Sequence, residues 1–226
     1  MKFYLGVFLW SCIFLWTSCT KRIYNSKSPY YSPIVELITD YGTMELQLYA
    51  STPKHRDNFV KLVKEGFYDS LLFHRVIDNF MIQGGDPVSK GAATNVLLGN
   101  GGPGYTIPAE FVDTLIHLKG ALAAARQGDA VNPQKASSGS QFYIVEGQPV
   151  KSNVLSQMQA QNGIQYTEAQ KKAYATEGGT PHLDGGYTVF GRVISGMDVL
   201  EKIAAVPVRG SRPTKDVMMK MRIKKG

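Results

Sequence analysis

Residues 73–86 read FHRVIDNFMIQGGD, the stretch of the chain that is most informative about its fold. It places one fixed cation, Arg75, among large apolar side chains, which indicates a mostly buried strand, turn and strand. Burying a guanidinium costs free energy unless the group has partners. Arg75 therefore belongs either to a structural ion pair or to a site that uses its charge.

The stretch resembles the signature strand region of the cyclophilins, a family of peptidyl-prolyl cis/trans isomerases. Residues 105–111 (YTIPAEF) are similar to a segment of bacterial cyclophilins, and residues 139–144 (GSQFYI) match a second family signature. The resemblance covers residues 34–224, apart from 146–179 and a polar loop at 127–138. It implies a mainly β fold, a closed antiparallel eight-stranded β-barrel capped by two α-helices, with a helical insertion. Many short strands and two helices in the apolar pattern favour the same architecture.

Capping signals and apolar spacing place the helices. Thr52 followed by Pro53 predicts a helix start with Thr52 as the N-cap, and residues 196–206 have the apolar spacing of a second helix. We expect one or two short helices in the insertion at 146–179, because residues 167–170 fit a capping box. A disordered loop is the alternative for this insertion.

The N-terminus has the pattern of an export signal. A lysine precedes an apolar run over residues 3–16, which is shorter than the roughly 20 residues that span a bilayer. We predict a signal peptide over residues 1–18. Cys19 then stands where a bacterial lipoprotein carries its lipidated cysteine. Cleavage without lipidation and an uncleaved anchor are the alternatives.

The chain after this signal divides into two parts. Residues 19–33 are polar and contain two prolines, so we predict a lipidated N-terminus and a flexible tether. Residues 34–226 form the predicted isomerase domain. Thr20 follows the cysteine in place of the aspartate that retains some lipoproteins in the inner membrane. We therefore expect an outer-membrane lipoprotein of the cell envelope that faces the periplasm. We also expect the domain to be a monomer.

Composition and motifs exclude several classes of protein. The net charge is +7, but the basic residues are scattered, so we expect no nucleic-acid partner. The glycine run at 99–104 formally matches G-x-G-x-x-G, yet nearby prolines oppose the helix that a dinucleotide site needs. The four histidines lack metal-ligand spacing, so we expect no metal and no cofactor.

Prolyl isomerisation needs little chemistry from the protein. The barrier of about 18–20 kcal/mol arises from the partial double bond between carbon and nitrogen. Twisting this bond returns a lone pair to the proline nitrogen, and a donor aimed at that nitrogen favours the twisted state over either planar state.

The resemblance assigns this chemistry to particular residues. It implies that Arg75 is the donor, that Gln83 holds the carbonyl side of the substrate and that Phe80 completes the catalytic group. The substrate-binding residues that it implies are Met81, Ala125, Arg126, Gln141, Tyr143, His182, Leu183 and Tyr187. Four of these differ from the residue that is common in the family. The family commonly has Asn in place of Arg126, Phe in place of Tyr143, Trp in place of His182 and His in place of Tyr187.

Three functions follow from these observations. The first is a membrane-tethered prolyl isomerase that binds proline-containing peptides and assists the folding of unfolded exported proteins. The second is a binding module for proline-containing segments, in which the insertion supplies partner contacts. The third is a chaperone that only holds its clients. Ser140 and Gln141 also invite a hydrolase interpretation, but the sequence shows no histidine and acid pair beside them.

Overall fold

The computed structural model describes residues 31–225. The predicted signal peptide, Cys19 and most of the predicted tether lie outside the described residues. Within this described part, no helix is long and apolar enough to cross a membrane.

Short strands and four helices make up the described residues. The strands are β1 (Ile34–Thr39), β2 (Gly42–Leu48), β3 (Leu71–Leu72), β4 (Arg75–Ile77), β5 (Met81–Gly84), β6 (Thr106–Ile107), β7 (Ala121–Ala124), β8 (Ser137–Ser138), β9 (Phe142–Val145), β10 (Val189–Ser195), β11 (Val208–Arg209), β12 (Arg212–Pro213) and β13 (Met218–Ile223). The helices are α1 (Pro53–Lys64), α2 (Ser152–Asn162), α3 (Glu168–Thr176) and α4 (Met197–Ala204), with short 3-10 helices at Pro87–Ser89 and Pro181–Leu183.

Nine of the strands form one curled antiparallel sheet in the order β3-β13-β1-β2-β10-β7-β9-β5-β4. The predicted closed eight-stranded barrel is not confirmed, because the sheet is a half-barrel whose edge strands β3 and β4 share no ladder in the described part of the chain. These edge strands are consecutive pieces of one extended segment. β3 pairs with β13 and β4 pairs with β5, so this segment connects the two ends of the sheet although β3 and β4 are not paired with each other.

The main core lies between the curled sheet and the helices α1 and α4. Phe59 of α1 contacts the rings of Tyr68, Phe142 and Phe190 at centroid distances of 5.0, 5.6 and 5.4 Å. Burying each large apolar side chain contributes roughly 1.5–3 kcal/mol. This core holds β5 and β9 rigidly, and both strands carry predicted site residues.

The start of α1 differs from the prediction in its capping group. Pro53 is the first helical residue, as expected, but the side chain of Thr52 makes no capping hydrogen bond. The carboxylate of Glu110 instead accepts from the backbone N–H groups of Lys54 and His55, at 3.1 and 3.0 Å. A carboxylate at this end also suits the helix dipole.

Residues 146–179 contain α2 and α3. The predicted capping box is present, since the hydroxyl of Thr167 accepts from the backbone N–H of Gln170, whose side chain accepts from the backbone N–H of Thr167. A second, smaller core joins the helices to the strand-like stretch before β7, and its buried members are Ile116, Leu155, Tyr166 and Tyr174.

Candidate active site

A cavity of about 160 Å³ brings together nine of the eleven residues predicted for catalysis and substrate binding. Its lining residues are Arg75, Phe80, Met81, Gln83, Ala125, Arg126, Tyr143, Leu183 and Tyr187. The walls are aromatic and aliphatic, with polar groups on one side, as expected of a small-ligand pocket. Gln141 and His182 do not line it.

The sheet register explains why the polar groups meet. Arg75 on β4 lies directly opposite Gln83 on β5, and Gln83 lies opposite Tyr143 on β9. Directly opposed residues of antiparallel strands project from the same face. The three side chains therefore form one row across the sheet at the floor of the cavity.

Arg75 has an unusual environment for a partly buried cation. Its Nη1 donates to Gln83 Oε1 at 3.0 Å, and its guanidinium carbon lies 5.8 Å from the centroid of the Phe80 ring. Within residues 31–225, no carboxylate lies within ion-pair distance of Arg75. Arg75 therefore forms no structural ion pair with the described residues, and its charge faces the cavity.

The other guanidinium in the cavity wall is already engaged. Arg126 donates to the carbonyl oxygen of Gly186 at 2.6 Å and to a carboxylate oxygen of Asp129 at 2.5 Å. Its guanidinium also lies over the ring of Tyr187, 4.5 Å from the centroid. Arg126 therefore shapes the wall, whereas Arg75 is the cation that can serve a substrate.

Gln141 orients Gln83 from behind the cavity. Gln83 Nε2 donates to Gln141 Oε1 at 3.0 Å, while Gln141 Nε2 donates to the carbonyl oxygens of Gly99 and Gly101 at 2.9 and 2.7 Å. Those two carbonyls fix the Gln141 amide with its oxygen toward Gln83. Gln83 must therefore present its Nε2 to Gln141 and its Oε1 to Arg75. Gln141 lines the adjoining cavity of about 810 Å³, which shares Gln83, Ala125 and Arg126 with the first cavity, so its role in substrate binding stays a prediction.

The glycine loop that supplies these carbonyls is tight, as predicted. The fully buried carboxylate of Asp86 accepts from the N–H groups of Gly99 and Gly101, at 2.5 and 3.4 Å. No helix follows the loop. The structure therefore agrees with the exclusion of a dinucleotide site.

His182 lies outside the cavity and supports its wall. Its ring stacks on Phe80 with a centroid distance of 5.6 Å and an interplanar angle of 29°. Burial lowers the pKa of His182 below its usual value. The ring therefore supports Phe80 from outside the cavity, and direct contact between His182 and a substrate stays a prediction.

One polar cluster outside the cavity was missed by sequence reasoning. His55 Nδ1 lies 2.7 Å from Glu110 Oε2, and His55 Nε2 lies 2.9 Å from the hydroxyl of Ser137. This order resembles a hydrolase triad, but Ser137 is 1% exposed and the adjacent void is only about 10 Å³. The cluster joins the start of α1 to β8 and leaves no room for a substrate. Ser140, the earlier candidate, donates to the carbonyl oxygen of Gly85 at 2.7 Å.

No group of three or more metal-ligating side chains in the described part of the chain is placed to hold a metal ion. The site consists of a guanidinium with no carboxylate partner among the described residues, an oriented amide and an apolar pocket. Such a site can bind a small apolar ring and donate a charged hydrogen bond to a group beside it. These are the requirements for stabilising a twisted prolyl amide.

Comparisons with known proteins define the family. A family model described as "Cyclophilin type peptidyl-prolyl cis-trans isomerase/CLD" matches residues 34–223. A Staphylococcus aureus protein assigned as a peptidyl-prolyl cis-trans isomerase is 39% identical over 187 residues, which cover 82% of this chain and 88% of the relative. A Streptococcus pyogenes protein assigned as a bifunctional phosphatase and peptidyl-prolyl cis-trans isomerase is 38% identical over 191 residues, 83% of this chain and 37% of that protein.

Solved structures agree with this assignment. A crystal structure of a Cryptosporidium parvum cyclophilin-type peptidyl-prolyl cis-trans isomerase has a TM-score of 0.64 and 26% identity, covering 87% of this chain and 99% of its own. A second structure of that protein, in the presence of the dipeptide Ala-Pro, has a TM-score of 0.63 and 26% identity over 85% and 99% of the two chains. The fold and the site define a prolyl isomerase. The chain belongs to the cyclophilin-type peptidyl-prolyl cis-trans isomerase family.

Proposed function

We propose that this isomerase acts in the cell envelope, where it accelerates rotation about X-Pro bonds of unfolded exported proteins. The observation that carries the site assignment is Arg75, whose charge faces a proline-sized cavity and has no carboxylate partner among the described residues. The export-type N-terminus supports the location. Proline-containing peptides are the substrate class, and the domain works as a monomer.

In this proposal the cavity binds the proline ring and Arg75 acts on the twisted amide. The apolar walls hold the ring in both planar states and in the transition state. The guanidinium donates to the nitrogen lone pair, which is available only when the bond is twisted, so this interaction is specific to the transition state. A charge-assisted hydrogen bond contributes about 1.5–3 kcal/mol. Since about 1.4 kcal/mol corresponds to a tenfold change in rate, Arg75 supplies about 10- to 150-fold.

The test compares the full-length chain with its Arg75→Ala variant in the cis-to-trans isomerisation of an Ala-Pro-Phe-type peptide. Arg192→Ala is the matched control, because Arg192 is an exposed arginine on β10 that does not line the cavity. We expect kcat/KM to fall at least tenfold in Arg75→Ala and to remain unchanged in Arg192→Ala. If the unmutated chain binds the peptide without accelerating isomerisation, the alternative function of a binding module is favoured.

The membrane tether is a separate part of the proposal. Cys19 would carry the lipid, and residues 20–33 would separate the domain from an outer membrane that it faces from the periplasm. Labelling of the cell-grown protein with a tagged fatty acid should be lost in Cys19→Ala, and that variant should leave the membrane fraction. Retention of the label in Cys19→Ala would exclude lipidation at this residue.

A further inference from the structure

A buried carboxylate behind the cavity collects hydrogen bonds from two separate parts of the chain. Asp184 is 7% exposed. Its Oδ1 accepts from the backbone N–H of His117 at 2.8 Å and lies 2.6 Å from His117 Nδ1. Its Oδ2 accepts from the hydroxyls of Tyr166 and Tyr174, at 2.8 and 2.5 Å. Four contacts satisfy a charge that burial would otherwise make costly.

His117 carries this network to the cavity wall. Its Nε2 lies 2.9 Å from the hydroxyl of Tyr143, and the two rings are nearly parallel, with an interplanar angle of 11°. The carboxylate of Asp184 can only accept, so the Nδ1 of His117 carries the proton. The hydroxyl of Tyr143 is hydrogen-bonded to the other ring nitrogen. The phenol ring of a cavity residue is thereby tied to Asp184.

Asp184 also fixes a second side of the same cavity. It follows the 3-10 helix Pro181–Leu183, and its backbone N–H donates to the carbonyl oxygen of Pro181 at 3.2 Å. Leu183 lies directly before it and Tyr187 three residues after it, and both line the cavity. Asp184 is therefore linked to three residues of the pocket wall, to Tyr143 through His117 and to Leu183 and Tyr187 along the chain.

The two tyrosine hydroxyls come from the α2–α3 segment. Tyr166 lies just before α3 and Tyr174 lies within it, and both rings belong to the small core shared with Ile116 and Leu155. Burial and the neighbouring carboxylate raise the pKa of Tyr166 and Tyr174 above their usual value. Both hydroxyls thus remain protonated donors.

We infer that Tyr166 and Tyr174 are positioning residues of the isomerase cavity, which they order through Asp184, His117 and the ring of Tyr143. The α2–α3 segment is therefore part of the active-site architecture. This inference rests on the proposed use of the cavity for the proline ring. Because the wall contacts that ring in the planar and twisted states alike, loosening it weakens binding of both, which raises KM and leaves kcat unchanged.

The experiment measures KM and kcat for an Ala-Pro-Phe-type peptide with the full-length chain and its Tyr166→Phe and Tyr174→Phe variants. Each variant keeps its ring and loses one hydroxyl. We expect KM to rise about threefold to tenfold, as for one lost hydrogen bond, with kcat within about twofold of the parent. Tyr68→Phe is the matched control, because its fully buried hydroxyl donates to the carbonyl oxygen of Ser140 and takes no part in the network. Its KM should equal that of the parent, and so should its kcat.

A double-mutant cycle separates positioning from a general loss of stability. Tyr174→Phe should raise KM less in a Tyr143→Phe background than in the parent, because the link through His117 is then already broken. The inference would be overturned if the fold-changes in KM of Tyr174→Phe and Tyr143→Phe multiplied in the double variant. It would also be overturned if Tyr166→Phe and Tyr174→Phe each had the KM of the parent. Titration of the same peptide at equilibrium gives the corresponding ratios of Kd even if the parent proves to bind without turnover. Failure of the proposed isomerase activity is thus distinguished from failure of the network.

Discussion

The most informative single change is Gln83→Glu, which replaces the amide nitrogen of Gln83 by oxygen and so gives Arg75 a carboxylate partner. Gln83 Oε1 accepts from Arg75 Nη1 at 3.0 Å. A carboxylate in that place would form an ion pair with the guanidinium and would occupy donors that the twisted amide needs. The side chain is nearly the same size, but the oxygen that replaces Nε2 cannot donate to Gln141 Oε1, as the amide does at 3.0 Å. Gln83→Met loses this bond as well, so the comparison of the two variants isolates the added charge.

The expected loss can be derived from the geometry. Two unit charges about 4 Å apart attract by about 4 kcal/mol at an effective dielectric constant of about 20. Arg75 is only partly buried, and solvent screening reduces this to about 2 kcal/mol. If that attraction must be overcome when the guanidinium turns to the substrate, kcat/KM falls about 30-fold. Gln83→Met removes the amide without adding charge, so the guanidinium gains no carboxylate partner that it must leave, and kcat/KM should fall less than in Gln83→Glu.

The assay is peptide isomerisation over a range of pH. The neighbouring guanidinium lowers the pKa of the introduced carboxylate below its usual value of about 4.3, so the loss should be constant between about pH 5 and about pH 8. Thermal unfolding of the same samples shows whether the fold is retained. The reasoning is refuted if Gln83→Glu is as active as Gln83→Met, because the charge of Arg75 would then not be what acts on the substrate.

Three further outcomes test the surroundings of the site. The melting temperature should fall as the pH drops from about 7 to about 5. Burial lowers the pKa of His55, His74 and His182 below the usual value of about 6.5, so the unfolded chain binds protons that the folded chain does not. A melting temperature that rises toward pH 5 would contradict this. Asp129→Asn should release the charge of Arg126 and raise the ratio of kcat/KM for Glu-Pro over Lys-Pro peptides about two- to fivefold, the scale of one surface ion pair; an unchanged ratio would show that Arg126 does not contact the residue before proline. Gly179→Ala should lower the free energy of unfolding in urea by about 2–3 kcal/mol, because its φ is +148° and a Cβ would lie 2.2 Å from the carbonyl oxygen of His117. Gly91→Ala, at φ +64° with no neighbour within 4 Å, should cost only about 1 kcal/mol, and equal costs would show that the close approach is relieved elsewhere.

The part of the site that lies in one hairpin could be predicted from the sequence. Arg75 and Gln83 are eight residues apart on strands joined by a short turn, so their spacing along the chain determines their pairing in space. The same holds for Phe80, the last residue of that turn, and Met81, the first residue of β5. Local patterns also predicted α1, α4 and the capping box of α3.

Features that depend on distant parts of the chain were predicted less well. The cap of α1 comes from Glu110, 55 residues beyond His55, and the local candidate Thr52 does not provide it. Closure of the sheet likewise depends on how the short edge strands pair, which no local apolar pattern specifies. For Gln141 and His182, the family resemblance located the right neighbourhood, but only the packing shows that each contacts a cavity residue, Gln83 and Phe80 respectively, without lining the cavity of about 160 Å³.

Two polar side chains that line the cavity are oriented in the same way, by buried groups behind them. Gln83 is held by Gln141, which is anchored on loop carbonyls, and Tyr143 is held by His117, which is anchored on Asp184. A side chain that faces a substrate can be oriented only from its other side, and the groups that do so must be buried. Buried polar groups are stable only when each is satisfied, so the anchors have to be as specific as the catalytic residues. Because both anchors come from distant parts of the chain, a mutation far from the cavity in sequence can change substrate binding without contacting the substrate.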